Sequence, residues 1–488
     1  MLDLKKNETT LKKAIQCARE RQIIIPTFRQ MQNPEQIPDK TKEKLKGIGL
    51  WDINPLNLFR ITWKNEPVAQ GGGFSDVNTL ELPGELTGVD ARIIGLVGKW
   101  FPTGSHKVGA TFGCLVPKLV TGQFDPTHQK AAWPSTGNYC RGGAYDAALL
   151  ACESIAILPE EMSQERFEWL SKVAGEVIKT PGCESNVKEI FDKCWDLLRT
   201  RENVVVFNQF DEFGNYLWHY SVTGNAAEEV LRKTMSEDER LAGFVATSGS
   251  AGTVSGCGDY LKEKFPACPV AVGEALQCPT LLLNGFGGHR IEGIGDKHVP
   301  WIHNVRNTDM VIAVDDNDCM NLIRLFNEPA GKEFLKKQGV TEAVVNSLPL
   351  LGISSISNLL AAIKFSKYYE LTSRDVVLTV FADSMELYGS RLAELRQAHG
   401  KYSEREAVRD YHSSLLGAKV DHMLELDHYD RKRIHNLKYF TWVEQQGKDV
   451  DELNAQWNDY RGYWTKIQSN ADEIDRMIEE FNQETGLL

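Results

Sequence analysis

The chain has 488 residues, with 67 acidic against 55 basic side chains for a formal net charge of −12, and its hydrophobic (42%) and charged (25%) fractions are those of an ordinary soluble globular protein. That length exceeds what one hydrophobic core usually serves, so two or three domains are expected. The acidic balance argues against a nucleic-acid binder and against a protein held on an anionic membrane by basic charge.

The first 22 residues are charged and amphipathic. They lack an apolar core followed by a small-residue cleavage site, so they do not read as a secretory signal. No uninterrupted apolar run is long enough to span a bilayer. From about residue 90 to 390, short β-rich runs alternate with amphipathic stretches. Strands are expected over 154–159, 176–180 and 204–209, with helices over 163–174 and 186–198 between them. Further strand runs follow at 243–249, 269–275, 310–316 and 376–384. This alternation predicts an α/β fold of two open, twisted, mostly parallel sheets covered by helices. Such sheets bind ligands at the carboxyl ends of their strands. After about Gly400 the strand signals stop and charge density rises. Trp457, Tyr460, Trp464 and Ile467, then Ile474, Ile478 and Phe481, recur at helical spacing and predict a helical extension packed on the body or on a partner subunit. Ten cysteines lie in the first two-thirds of the chain with no C-x-x-C pair, and eleven histidines form no H-x-x-x-H pair. Neither a disulfide framework nor a metal site is expected, and a reducing cytoplasm is the simplest compartment.

Four segments carry chemistry. Phe101-Pro-Thr-Gly-Ser-His-Lys107 places a lysine after a constrained turn and before a helix. A desolvated amine there loses part of its proton and becomes a nucleophile toward an aldehyde, although a lysine taken alone is most often a surface residue. Ser135-Thr-Gly-Asn-Tyr139 is a small polar turn whose N–H groups and hydroxyls suit a carboxylate; its plain reading is an ordinary turn. Gly249-Ser-Ala-Gly-Thr253 follows a strand and opens a helix, which is where an anion such as phosphate binds. It is neither a Walker A loop nor a G-x-G-x-x-G fingerprint, and its plain reading is a close strand–helix turn. Gly352-Ile-Ser-Ser355 opens another helical run, where a serine suits an N-cap.

The order of these segments is more informative than any one of them. A lysine, then S-T-G-N, then a phosphate loop, then a serine-bearing helix start resembles the fold-type-II pyridoxal-phosphate enzymes, in particular the cysteine synthase (O-acetylserine sulfhydrylase) and cystathionine β-synthase group. The resemblance runs from about residue 55 to 395. It includes Leu158-Pro-Glu-Glu-Met-Ser-Gln-Glu-Arg166, Asn208-Gln-Phe210 with Thr223-Gly224, His289-Arg-Ile-Glu-Gly-Ile-Gly295 and Asp383-Ser-Met-Glu-Leu-Tyr388. It implies pyridoxal 5'-phosphate as cofactor, with Lys107 as the catalytic lysine that holds it as a Schiff base and shuttles the α-proton. Asn138 would meet the ring hydroxyl oxygen. Gly249, Ser250, Ala251, Gly252 and Thr253 would hold the phosphate, and Ser354 would face the pyridine nitrogen. Ser135, Thr136, Gly137, Tyr139 and Gln209 would receive the substrate carboxylate, with Gly293 and Gly295 at the entrance.

The implied reaction is β-replacement or β-elimination on a small L-amino acid of the O-acetylserine, cysteine or serine class. A threonine-synthase-like or deaminase-like reaction on the same fold is the alternative, and a non-catalytic cofactor-binding relative a more distant one. Three departures bear on the substrate. Val108-Gly109-Ala110 replaces the arginine that usually follows the lysine by two residues. Tyr139 stands where threonine is usual. Asp296 follows the Gly-Ile-Gly segment, and an acid there disfavours an anionic nucleophile. The expected architecture is a large cofactor-binding domain of residues 1–107 and 221–395, a small substrate-loop domain of 108–220, and a helical extension of 396–488. A homodimer is implied by the resemblance.

Overall fold

The computed structural model describes residues 2–135, 137–183 and 185–487. Its β-branched runs build eleven strands in two sheets. β3 (Lys130–Pro134), β4 (Glu153–Pro159), β5 (Glu176–Thr180) and β6 (Val204–Val206) form an all-parallel sheet in the order β5-β4-β3-β6. The second sheet has the order β1-β2-β10-β7-β8-β9-β11. It uses β1 (Thr79–Leu82), β2 (Arg92–Val97), β7 (Arg240–Thr247), β8 (Val270–Ala275), β9 (Met310–Val314), β10 (Asp375–Phe381) and β11 (Met423–Glu425). Its five central strands are parallel, and its two edges, β1 and β11, pair antiparallel. Every residue of β8, β9 and β10 is buried, which is why those segments are mostly apolar and do not alternate.

Two strand expectations need correction. Residues 207–209 do not extend β6, because the chain turns at Asn208, whose side chain accepts from the Phe210 N–H at 3.1 Å. That turn carries Gln209 away from the sheet. The region after Gly400 does contain a strand: β11 closes the edge beside β9. A three-residue edge strand has too little sequence to show a period.

The C-terminal extension is a structural part of the body. The helix Asn470–Thr485 buries Ile474, Ile478 and Phe481, and Trp464 and Ile467 before it are equally enclosed. Asp475 on that helix accepts the backbone N–H groups of Phe28 (2.6 Å) and Arg29 (3.1 Å), and Asn482 exchanges hydrogen bonds with the Ile25 backbone. These contacts tie the two ends of the chain together. Nearer the site, the fully buried Lys438 donates to the carbonyls of Trp301 (2.9 Å) and His303 (2.7 Å), and Trp442 donates to that of Val299 (2.8 Å). The extension thereby holds the segment that follows Asp296. No helix among the described residues is long and apolar enough to cross a membrane.

Candidate active site

Lys107 is the first residue of the helix Lys107–Val120. The turn before it is unusual: Thr103 (φ 67°) and Gly104 (φ 73°) are both left-handed, a conformation that fixes the chain's entry into the helix. Lys107 lines a pocket and reaches toward the loop after β7. Burial lowers its pKa to about 8, while the charge of nearby Asp296 works the other way. Its Nζ lies 3.4 Å from Ser250 Oγ.

Ser250 belongs to the loop after β7. Ala251 adopts φ 62° and caps the helix Gly252–Lys264, so the loop's N–H groups gather at a helix start. Ser250 Oγ is held by Asn215 Nδ2 at 3.0 Å. A Cβ on Gly252 would lie 2.2 Å from Asn215 Oδ1, so only glycine fits beside that support. Behind the loop a buried relay runs from Trp63 Nε1 to Thr223 Oγ1 (3.1 Å), His219 (3.0 Å), Thr253 Oγ1 (3.3 Å) and His106 Nε2 (3.1 Å). Burial, assisted by the charge on Lys107, pushes His106 down to about 3 and His219 well below its ordinary value, so both imidazoles are neutral.

One pocket gathers Lys107, Ser135, Asn138, Tyr139, Gln209, Gly249, Ser250, Gly293, Ser354 and Asp296. Asn138 opens the helix Asn138–Leu149, and its Nδ2 donates to Asp383 Oδ2 at 2.6 Å, which leaves its Oδ1 buried without a partner. Because an ionised carboxylate only accepts, this contact fixes which way the amide faces. Tyr388 donates to the same Oδ2 at 2.6 Å. Burial raises the Asp383 pKa, against the two hydrogen bonds that lower it. The Asp383 carbonyl accepts the N–H of Gly352 (2.9 Å) and the hydroxyl of Ser355 (3.2 Å). It thus also anchors the start of the helix Ile353–Tyr368 that presents Ser354. Tyr139 packs edge-on against Trp133, ring centroids 5.6 Å apart, and its hydroxyl is fully enclosed.

These groups suit pyridoxal phosphate. The pocket offers a lysine whose pKa burial lowers, a helix-start loop backed by Ser250, a neutral serine hydroxyl and an amide with an unsatisfied buried oxygen. Comparison with known proteins agrees. Residues 100–331 match the family model described as pyridoxal-phosphate dependent enzyme. A probable cysteine synthase of Bacillus subtilis is 30% identical over 287 residues, 59% of this chain and 85% of that protein. The chain belongs to the pyridoxal-phosphate dependent enzymes. Cysteine synthase B of Campylobacter jejuni is 32% identical to this enzyme over 254 residues, 52% of the chain and 76% of its own. Among solved structures, a hydrogen sulfide-producing enzyme from Fusobacterium nucleatum superposes with a TM-score of 0.54 at 25% identity. That alignment covers 68% of this chain and 92% of its own.

The fold therefore brings together most of the residues that the sequence singles out. Gly137, Ala251, Gly252, Thr253 and Gly295 do not line the pocket; they shape the backbone around it. Gly295 turns away, with φ 76°, and a Cβ there would strike His289 Nε2 at 2.5 Å. Thr136 lies outside the described residues. Neither serine of Gly352-Ile-Ser-Ser355 caps its helix: the N-cap is Gly352, two residues before Ser354, with no side-chain cap bond, and Ser354 lines the pocket. Single motifs miss His106, Arg166, Asn215, His219 and Asp383. Arg166 and Asp383 do lie within segments that carry the family resemblance, and His106 adjoins the lysine. Asn215 and His219 have no local signal.

Proposed function

We propose that the enzyme uses pyridoxal phosphate to catalyse β-replacement or β-elimination on a small L-amino acid with a leaving group at Cβ. O-acetylserine, cysteine and serine are the substrate class. The observation that carries this reading is the convergence of Lys107, Gly249, Ser250, Asn138 and Ser354 on one pocket, in a chain related to cysteine synthases.

Bound pyridoxal phosphate supplies an electron sink for the carbon that loses its proton. The residues supply the rest. Lys107, with a pKa near 8, is partly neutral at physiological pH, so it serves as nucleophile and as the base that takes and returns the α-proton. Gly249, Ser250, Ala251, Gly252 and Thr253 would hold the phosphate, and Ser354 would offer the pyridine nitrogen a neutral hydroxyl that does not force a proton onto it. Asn138, its amide held by Asp383, would hydrogen-bond the ring hydroxyl oxygen. Ser135, Tyr139 and Gln209, which line the pocket, with their loop neighbours Thr136 and Gly137, would receive the α-carboxylate, and Gly293 with Gly295 would shape the entrance. Asp296 stands in the pocket wall close enough to influence Lys107, so its charge repels an anionic partner. That supports a neutral second substrate, water or an undissociated thiol. Residues 1–107 with 221–395 form the cofactor domain, 108–220 the substrate domain and 396–488 a docked extension. We further propose a homodimer, on the family resemblance, working in the cytoplasm, which suits ten free cysteines.

The test is the visible absorption of the purified protein before and after addition of O-acetyl-L-serine. A cofactor band that moves on addition is the expected result, and Lys107→Ala should lose both the band and turnover. A protein that stays colourless with pyridoxal phosphate, or unchanged turnover in the Lys107 variant, refutes the reading.

A further inference from the structure

Arg166 lies in the helix Gln164–Val173, beside the all-parallel sheet, yet its side chain is fully enclosed and it reaches two partners, Glu292 and Tyr388, in the other half of the molecule. Nη1 pairs with Glu292 Oε2 at 2.7 Å, and Nη2 donates to the Tyr388 hydroxyl at 2.9 Å. Tyr388 donates to Asp383, which accepts from Asn138. Glu292 also holds Arg391 at 2.5 Å and directly precedes Gly293 in the pocket wall. The guanidinium itself lies against Gly137. A Cβ at that position would be 2.4 Å from Nη1 and 2.5 Å from Cζ, and Gly137 has φ 157°. One buried cation therefore supports Gly137 by contact and Asn138 through three hydrogen bonds by way of Tyr388 and Asp383, and the adjoining pocket wall through Glu292.

A buried ion pair is weak support for stability, since desolvating both charges costs about what their attraction returns. Its use is in fixing geometry. We propose that Arg166 is a positioning residue that holds the 135–139 loop in the shape that binds the α-carboxylate, and so makes the enzyme select amino acids over simple amines. The proposal rests on the function given above, in which that loop is the carboxylate subsite. It assigns Arg166 no contact with substrate or cofactor.

The experiment compares L-cysteine with cysteamine, which keeps the amine and thiol and lacks the carboxylate. Apparent dissociation constants are read from the visible band of the cofactor-loaded protein, so no turnover is needed. Arg166→Gln should weaken L-cysteine tenfold or more and cysteamine less than twofold, at unchanged cofactor content. Tyr388→Phe keeps the packing and removes one link to Asn138. It should shift the same ratio about threefold, which keeps the test available if the arginine variant fails to fold. Equal weakening of both ligands, or an unchanged ratio in Tyr388→Phe, overturns the proposal. A wild-type band that responds to no ligand of the proposed class overturns the function and this inference together. A responsive wild type with unselective variants overturns the inference alone.

Discussion

The lysine's protonation state gives the sharpest quantitative expectation. An ordinary lysine has a pKa of about 10.4, so roughly one amine in 2,500 is neutral at pH 7. Burial brings Lys107 to about 8, which makes about one in ten neutral at the same pH, a gain of a few hundred-fold in nucleophile. The folded pKa is depressed, so the neutral amine is scarce below about pH 8 and dominant above it. Capture of pyridoxal phosphate by the cofactor-free protein, followed as growth of the visible band from pH 6 to 10, should accelerate about tenfold per pH unit and level off near pH 8. Asp296 favours the ammonium, so Asp296→Asn should move the midpoint lower and speed capture at pH 7. A rate still climbing at pH 10 would mean that Lys107 is solvated like a surface lysine. A midpoint that rises in Asp296→Asn would show that the two groups do not interact as the geometry requires.

Two further outcomes follow from packing. Gly252→Ala places a methyl 2.2 Å from Asn215 Oδ1, and overpacking of this kind costs about 1–3 kcal/mol; if the phosphate loop bears that strain, pyridoxal phosphate affinity should fall on the order of 10- to 100-fold by equilibrium titration. Trp464→Ala empties a site that is 1% exposed under the C-terminal extension and should cost about 3–5 kcal/mol, read as a lowered denaturation midpoint; an unchanged midpoint would mean the extension is not part of the cooperative body.

Much of the site was legible in the chain because its chemistry is local. A lysine at a helix start, a small-residue loop after a strand and a polar turn each need only a few consecutive residues, and their order carried the family resemblance. Buried strands were legible for the same reason, since β8, β9 and β10 are dominated by apolar and β-branched residues. Legibility ended where one short segment depends on another distant one. The strand β11 exists because β9 offers it an edge. Gln209 leaves its strand because Asn208 bonds the turn. The serines of 352–355 read as caps in isolation, while the fold places the cap at Gly352 and turns Ser354 inward.

The sequence by itself determined the α/β class, a lysine at a helix start, a small-residue loop between a strand and a helix, and the helical character of the extension, because periodicity and turn chemistry are properties of neighbouring residues. Only the tertiary structure decided which of those groups face one pocket, how far the amine is dehydrated, and what holds the substrate loop. Those outcomes depend on side chains hundreds of positions apart: Asn138 with Asp383 across 245 residues and Arg166 with Tyr388 across 222. A hydrogen bond between such groups has no signature along the chain, because it forms only after apolar burial has excluded water and brought the two halves of the molecule into contact.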